Sequence, residues 1–153
     1  MRSQNDLLRI PLLVAFVLPC IPPPPAWAQA TARVSVDDAG NQANATSERA
    51  SLSSDGRYIA FQSTATNLVP GDTNGVSDVF VHDRLTGTTE RVSVDSSGAQ
   101  ADGASTLGSI QTFTYAISGD GRHVVFRSSA TNLVAGDTNG AFDVFLRDRQ
   151  TSF

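Results

Sequence analysis

"TATNLVPGDTNGVSDVFVHDR", residues 64–84, returns sixty-five residues later as "SATNLVAGDTNGAFDVFLRDR", residues 129–149. Fifteen of the twenty-one aligned positions are identical. Both copies are rich in Gly, Asp, Thr and Val and poor in helix-forming Leu, Glu and Lys, a balance that favours strands and turns. The sequence therefore indicates two copies of one β-rich unit.

Two shorter stretches recur beside the long one, and their offsets differ. "RVSVDDAGNQA" at residues 33–43 returns at 91–101, an offset of 58, whereas "LSSDGRYIAFQS" at 52–63 returns at 117–128, an offset of 65. Seven extra residues must therefore lie between positions 101 and 117, near "LGSIQTF". A unit of about 60 residues that varies in one loop is typical of repeat architectures.

Each unit contains short segments with the composition of strands. Asp55-Gly56 predicts a tight hairpin turn, since Gly tolerates a positive φ. Ile59 and Phe61 share one face of a period-two pattern while the other face is also apolar, so the sheet needs cover on both sides. In the first unit the predicted strands are residues 50–53, 57–63, 78–83 and 90–94, with a long polar loop at 64–77.

The second unit repeats only three of these four strands, at residues 114–118, 122–128 and 142–148. A segment of the fourth type, "ARVSV" at 32–36, stands instead before the first unit. Two interpretations remain open. The chain is a fragment of a longer product, or several copies assemble head to tail, each lending residues 32–36 to its neighbour in a heterologous contact.

"SSDGRYIAF" and "SGDGRHVVF", followed by "DVFVHDRLTG" or "DVFLRDRQT", resemble the TolB-type, WD-like β-propeller repeat of exported bacterial proteins. The resemblance covers about residues 33–152. It implies an all-β fold of two consecutive four-stranded antiparallel blades in an incomplete ring. Residues 29–94 would be the first repeat with its leading strand, and 95–153 the second repeat without its last strand. A two-sheet β-sandwich is the alternative fold.

The resemblance also implies a function. TolB-like modules act in the cell envelope or outside the cell as binding or scaffold proteins, with protein partners such as peptidoglycan-associated lipoproteins. Because propellers bind through loops at one end of the ring, the loops "TNLVPGDTNG" and "TNLVAGDTNG" are the predicted recognition surface. Two alternatives are a fragment of a larger propeller-containing hydrolase and a calcium-stabilised structural surface module.

Residues 1–28 have the order of a secretory signal peptide: a positive start, an apolar run at 10–18 too short to span a bilayer, and small residues at Ala26 and Ala28. The predicted location is therefore periplasmic or secreted, with no membrane span after cleavage. Cleavage removes two arginines and one aspartate, which takes the formal charge from −4 to −5. It also removes Cys20, so no disulfide framework remains, and the acidic balance argues against nucleic-acid partners.

The repeated "GDTNG" loops present oxygen atoms at positions i, i+2 and i+6 around a glycine. Calcium prefers carboxylate, amide and backbone oxygens on such turns. The alternative is that these side chains cap the turn through hydrogen bonds to the backbone. The candidate metal ligands are Asp72, Asn74 and Asp78 in the first loop and Asp137, Asn139 and Asp143 in the second.

The sequence contains no catalytic constellation, and we predict that the chain is not an enzyme. There is no G-x-S-x-G nucleophile elbow and no H-E-x-x-H helix. His82 and His123 are not repeated between the units, which predicts surface or strand-edge positions for both. The repeated "DR" pairs, such as Asp83-Arg84, are predicted to pair across strands or between blades with little effect on stability.

Overall fold

The structure is a computed structural model that describes residues 30–108 and 116–150. The predicted signal peptide and the middle of the seven-residue insertion lie outside these ranges. Within them the chain is all-β, as predicted, and no helix there could cross a bilayer. The strands are β1 Ser47–Leu52, β2 Tyr58–Ser63, β3 Asp78–Asp83, β4 Thr88–Arg91, β5 Ser105–Thr106, β6 His123–Ser128 and β7 Asp143–Asp148.

The strands form two antiparallel sheets, and both sheets belong to one compact unit, Ala32–Phe153. Sheet 1 has the order β1-β2-β3-β4 and sheet 2 the order β5-β6-β7, so each is a meander of neighbours in sequence. Strands β2 and β6, and β3 and β7, are related by the repeat offset of 65 and pair in the same register. Among the described residues sheet 2 has no counterpart of β4.

The turn between β2 and its preceding strand explains the recurrent S-x-D-G-R sequence. Ser53 Oγ donates to Asp55 Oδ1 at 2.6 Å and accepts from the backbone N–H of Tyr58 at 2.9 Å. Gly56 takes the positive φ of 71° that the predicted turn requires. Arg57 then reaches across the hairpin to Asp83 with two hydrogen bonds, of 2.9 and 2.6 Å. The second repeat makes the same set with Ser118, Asp120, Gly121, Arg122 and Asp148.

In sheet 1, the part of β1 that corresponds to the site of the insertion contains a β-bulge. In sheet 1 the pairing of β1 with β2 shifts between Glu48 and Ser51, where Arg49 has a φ of 55°. Among the described residues of sheet 2, pairing with β6 is seen at Ser105 and Thr106 and again at Ile117, which bridges Val124. The predicted strand at 114–118 is thus reduced, in its described part, to a single bridge. An edge strand accepts such an insertion because the central ladder of the sheet stays intact.

The segments 90–94 and 32–36, both predicted as fourth strands, also differ from expectation. Strand β4 ends at Arg91 rather than at 94, and Val94 instead bridges Gln100 across a tight turn. The segment 32–36 forms no ladder strand; Val36 makes the equivalent bridge to Gln42. A strand needs a hydrogen-bonding neighbour, and no β3-type strand lies beside residues 32–36 in the described part of the chain.

The two sheets stack through unlike faces. We call the face with Ile59, Phe61 and Phe80 the front of sheet 1 and the face with Ala60, Val79 and Val81 its back. By the repeat offset, the front of sheet 2 carries Val124, Phe126 and Phe145, and its back carries Val125, Val144 and Leu146. The back of sheet 1 and the front of sheet 2 share one apolar core. The front of sheet 1 is covered by Val34, Ala43 and Val69.

The back of one sheet thus meets the front of the next, rather than two like faces pairing. As a consequence, the two sheets differ in how many of their faces are covered. Sheet 1 is covered on both faces, and Val79 and Val81 are at most 1% exposed. The back of sheet 2 has no cover among the described residues, and the equivalent Val144 and Leu146 are 70% and 58% exposed.

Tyr58 joins the two sheets at one end of the stack. Its ring lies 4.7 Å from the guanidinium carbon of Arg57 and 4.5 Å from that of Arg149 at the end of sheet 2. Arg149 also pairs with Glu90 of sheet 1. These contacts combine cation–π attraction and an ion pair across the stack.

We expect Gly121→Ala to destabilise the protein more than Gly56→Ala, although both glycines occupy the same turn position. Both have a positive φ, 73° and 71°, so alanine costs about 1 kcal/mol at either site. Only at Gly121 does the added Cβ meet another sheet, 2.0 Å from Cδ2 of Tyr58. This overlap adds about 1–3 kcal/mol. Urea unfolding followed by circular dichroism measures the difference; equal losses would contradict the stack.

Candidate functional site

Asp78 and Asp72 form a buried cluster with Arg91 of β4. Asp78 is 0% exposed and accepts hydrogen bonds from Ser93 Oγ at 2.6 Å and Asn74 Nδ2 at 2.8 Å. One guanidinium nitrogen of Arg91 lies 3.3 Å from Asp72 Oδ1 and 3.7 Å from Asp78 Oδ2. We call these five residues the arginine cluster.

Burial raises the pKa of both carboxyl groups in the arginine cluster. For Asp72, the neighbouring charge of Asp78 raises the pKa further, and Arg91 opposes that rise. For Asp78, the hydrogen bonds from Ser93 and Asn74 and the charge of Arg91 all act to lower the pKa. The guanidinium is thus the cation that makes burial of two carboxylates tolerable.

The cluster is tied to the turn that leads into sheet 2. Gln100 Oε1 accepts from Arg91 at 3.0 Å and from the backbone N–H of Thr73 at 3.2 Å. Asn74 Nδ2 also donates to the carbonyl of Ala101 at 3.0 Å. The loop, strand β4 and the turn at 95–101 therefore form one hydrogen-bonded corner. Arg91, Ser93 and Gln100 were absent from the sequence-based candidates, although all three belong to the recurrent stretch 91–101.

The second loop has the same local geometry without the arginine. Asn139 Nδ2 donates to Asp143 Oδ2 at 2.8 Å, and its oxygen accepts from the N–H of Ala141 at 2.7 Å. Asp137 and Asp143 are half-buried rather than buried. No described residue of the second repeat corresponds to Arg91 or Ser93. The first loop therefore has a cation, Arg91 of β4, beside its two aspartates, and the second loop has none among the described residues.

Calcium binding by these loops is not tested directly, but the geometry favours the alternative, in which the side chains cap their turns. In both loops the asparagine directs its amide nitrogen, not its oxygen, to the aspartate. In the first loop Arg91 already lies between the carboxylates. Within residues 30–108 and 116–150 no three His, Cys, Asp or Glu side chains are grouped to hold a metal.

We expect millimolar calcium to leave the melting temperature of the full chain unchanged. Asp78 and Asp143 each accept from an asparagine amide, and Asp72 and Asp78 also face Arg91, so fewer of their lone pairs are left for a metal ion. Differential scanning calorimetry with calcium and with magnesium measures this. A calcium-specific rise in melting temperature that Asp72→Asn or Asp137→Asn abolishes would support the metal site instead.

The histidines lie in different environments. His82 is 6% exposed in the middle of sheet 1, with Nδ1 2.9 Å from Thr89 Oγ1, so its predicted surface or strand-edge position is wrong. Burial lowers its pKa. His123 is more open and lies 3.8 Å from Asp148. Within the described part of the chain, neither histidine lies between a Ser, Thr or Cys side chain and an orienting carboxylate in the arrangement of a catalytic triad.

The aspartates of the "DR" pairs bind arginines other than their sequence neighbours. Two hydrogen bonds from Arg57 hold the pKa of Asp83 well below its usual range. Asp148 is paired with Arg122 in the same way, and each carboxylate is buried. Arg84 instead donates to the carbonyl of Gly56 at 2.8 Å. The pairs therefore lock β2 to β3 and β6 to β7.

The predicted recognition loops are partly tied to the turns that precede them. Asn67 donates to the carbonyl of Gln42 at 2.9 Å and accepts from the N–H of Asn44 at 2.9 Å. Asn132 makes the equivalent bonds to Gln100 and Asp102. These two asparagines therefore hold the loops to the fold, while the loop tips around Pro70 and Ala135 are exposed.

The back of sheet 2 is the most unusual surface of the described chain. Val125, Val144 and Leu146 are 44%, 70% and 58% exposed on adjacent positions of β6 and β7. Phe142, with Arg127 over its ring at 4.9 Å, extends this apolar area. Contiguous apolar surface on a folded protein marks an interaction site more often than a functionless patch.

Comparison of the chain with known protein families, with curated proteins and with solved structures finds no match.

Proposed function

We propose that the chain is an exported binding or scaffold module, built from two TolB-type propeller blades, that acts by binding other proteins. The observation that carries this proposal is the stacking of the back of sheet 1 on the front of sheet 2. Contact between unlike faces of successive sheets is the relation between neighbouring blades in the radial repetition of a propeller. In such an arrangement the outer face of the last sheet, here the back of sheet 2, is available to bind another protein.

The form of the exposed surface supports a protein partner. The back of sheet 2 exposes a row of apolar side chains without the converging polar groups that small-molecule sites contain. Aromatic and aliphatic side chains at its centre, with Arg127 beside them, match the composition of protein interfaces. By the resemblance of residues 1–28 to a signal peptide, the partner would be met in the periplasm or outside the cell.

Site-specific photo-crosslinking tests the proposal. A photoreactive amino acid at position 144, on the back of sheet 2, is expected to form adducts with an envelope or extracellular protein when the full chain is expressed with its leader. The same amino acid at position 85 is the control, because Leu85 is 75% exposed but lies on the β3–β4 turn.

The adduct is identified by mass spectrometry, and binding is then measured with the purified partner and the Val144→Arg variant. Loss of binding in that variant supports the proposal. An exported protein that forms no adduct with any other protein from position 144 contradicts it.

A further inference from the structure

We propose that His82 is a proton-sensitive latch for residues 33–43, the segment that helps to cover the front of sheet 1, and that mild acid loosens this cover. We call residues 33–43 the flap. Val34 and Ala43 of the flap pack on the apolar side chains of that front face, so opening of the flap would uncover them. The proposal goes beyond the proposed function, because it concerns the front of sheet 1 rather than the back of sheet 2.

The flap is a hairpin-like unit with its own internal hydrogen bonds. Val36 forms an isolated antiparallel bridge with Gln42, and the backbone N–H of Ala43 donates to the carbonyl of Ser35 at 3.0 Å. No residue of the flap is fully buried. The flap can therefore move as one body when its bonds to sheet 1 give way.

Two places attach the flap to the rest of the described chain by hydrogen bonds. At its carboxyl end, Asn67 donates to the carbonyl of Gln42 at 2.9 Å. In its middle, Thr89 of β4 donates from Oγ1 to the carbonyl of Val36 at 2.6 Å and from its backbone N–H to Asp38 Oδ1 at 2.7 Å. The first place serves as a hinge, because it lies where the flap continues towards β1. The bonds of Thr89 form the latch.

His82 lies against the latch. Its Nδ1 is 2.9 Å from Thr89 Oγ1. Because Thr89 Oγ1 gives its hydrogen to the carbonyl of Val36, it accepts from Nδ1–H of His82, and the neutral ring keeps its lone pair on Nε2. In acid the second proton enters at Nε2, which has no hydrogen-bond acceptor among the described residues. A charged, unsatisfied N–H would then lie where His82 is only 6% exposed.

The surroundings of the ring offer an added proton little compensation. Across the ladder from His82, β2 presents Ile59 and β4 presents Thr89. Asp38 already accepts from the backbone of Thr89, and Asp83 is held by two hydrogen bonds. The charged groups near the ring come from the flap, from the end of β3 and from the residue after it: Asp38, Asp83 and Arg84.

The direction of the pH effect follows from these surroundings. Burial lowers the pKa of His82 from its ordinary value of 6.5; Asp83 and Asp38 oppose this shift, and Arg84 adds to it. Opening of the flap hydrates the ring and returns its pKa towards the ordinary value. The open state therefore binds the proton more tightly than the closed state. The flap is closed at neutral pH, and its closure weakens as the pH falls below the ordinary pKa.

The second repeat has a permanent cation at the equivalent place. The segment that corresponds to the flap is residues 91–101, and it has the equivalent hinge through Asn132. Arg147, the equivalent of His82, donates from Nη1 to the carbonyl of Asp95 in this segment at 3.0 Å. A guanidinium that keeps its charge at every ordinary pH holds one segment, and a titratable imidazole holds the other. Mild acid is therefore expected to loosen only the flap of the first repeat.

Amide hydrogen exchange of the full chain, followed by nuclear magnetic resonance between about pH 7.5 and about pH 5, tests the proposal. The backbone N–H of Thr89 reports the latch, because its acceptor is Asp38 of the flap. After correction for the intrinsic effect of pH on exchange, we expect its protection to fall about tenfold or more in acid, starting near the ordinary pKa of histidine. The N–H of Ala101, which donates to Ser93 in the second repeat's segment, is expected to keep its protection.

Two histidine variants separate the latch from a general effect of acid. His82→Asn keeps a neutral donor near the position of Nδ1 and cannot take up the proton, so the acid-induced loss of Thr89 protection is expected to disappear. His123→Asn removes the other histidine, whose side chain is 41% exposed, and is expected to retain the loss. If His82→Asn does not fold, the comparison of the Thr89 and Ala101 amides in the parent chain still decides.

Three results would overturn the proposal. The protection of the Thr89 amide could stay constant across the pH range, or the Ala101 amide could lose protection equally, which would indicate a general loosening of the fold. A folded His82→Asn variant with the same acid-induced loss as the parent would show that another group takes up the proton.

Discussion

Val81→Asp is expected to destabilise the protein by more than about 4 kcal/mol, enough to leave it unfolded under ordinary conditions. Val81 is 1% exposed on the back of sheet 1 and lies in the core shared with sheet 2. A carboxylate there would lose its hydration with no cation supplied in return. Far-UV circular dichroism and urea unfolding measure the loss.

Leu146→Asp is the matched control, because Leu146 occupies the same position of the second repeat on a face that is 58% exposed at this residue. We expect a change within about 0.5 kcal/mol in the unfolding free energy of the single chain. If Leu146→Asp were as damaging as Val81→Asp, the back of sheet 2 would be buried and the proposed docking surface would not exist.

Arg91→Ala is expected to cost about 3–5 kcal/mol, because it leaves two buried carboxylates without their cation. The side chain of Arg91 is 9% exposed, and those of Asp72 and Asp78 are 3% and 0% exposed. Arg33→Ala, at the equivalent position of the first fourth-type segment, is the control and is expected to cost less than about 0.5 kcal/mol in the single chain.

The pH dependence of the Arg91→Ala variant tests the cause of the loss. Burial already raises the pKa of Asp72 and Asp78, and removal of the guanidinium raises it further. The folded state then binds protons more tightly than the unfolded state, so its stability increases as the pH falls towards the raised pKa values. We therefore expect a smaller loss in mildly acidic buffer than at neutral pH. A loss that grows in acid would exclude the unpaired carboxylates as its cause.

Much of sheet 1 was predictable because its signals are local. The period-two pattern of 78–83 predicted β3 with its observed bounds, and Asp55-Gly56 predicted a turn in which Gly56 takes a positive φ. The difference between the two repeat offsets located the insertion, since residues added to an edge strand leave the rest of the repeat unchanged. These features depend on neighbours in sequence.

The arginine cluster was not predictable in the same way, because its members are separated in sequence and meet only through the pairing of β3 with β4. Asp72 and Asp78 were noticed as oxygen ligands, but nothing local shows that Arg91 faces them. The burial of His82 depends on its pairing with Thr89 of β4, which the sequence around His82 does not reveal. The order in which the sheets stack is equally invisible, since both faces of each sheet are apolar.

Nuclear magnetic resonance of the full chain tests the stacking of unlike faces most directly. Gly121 lies against the Tyr58 ring of the other sheet, close enough that a Cβ would fall 2.0 Å from Cδ2. We predict strong nuclear Overhauser contacts between the Tyr58 ring protons and the Gly121 Hα protons, with an upfield shift of the latter. Contacts of the Phe61 and Phe80 rings with Phe126 and Phe145, and none between Tyr58 and Gly121, would show that like faces pair and would contradict the stack.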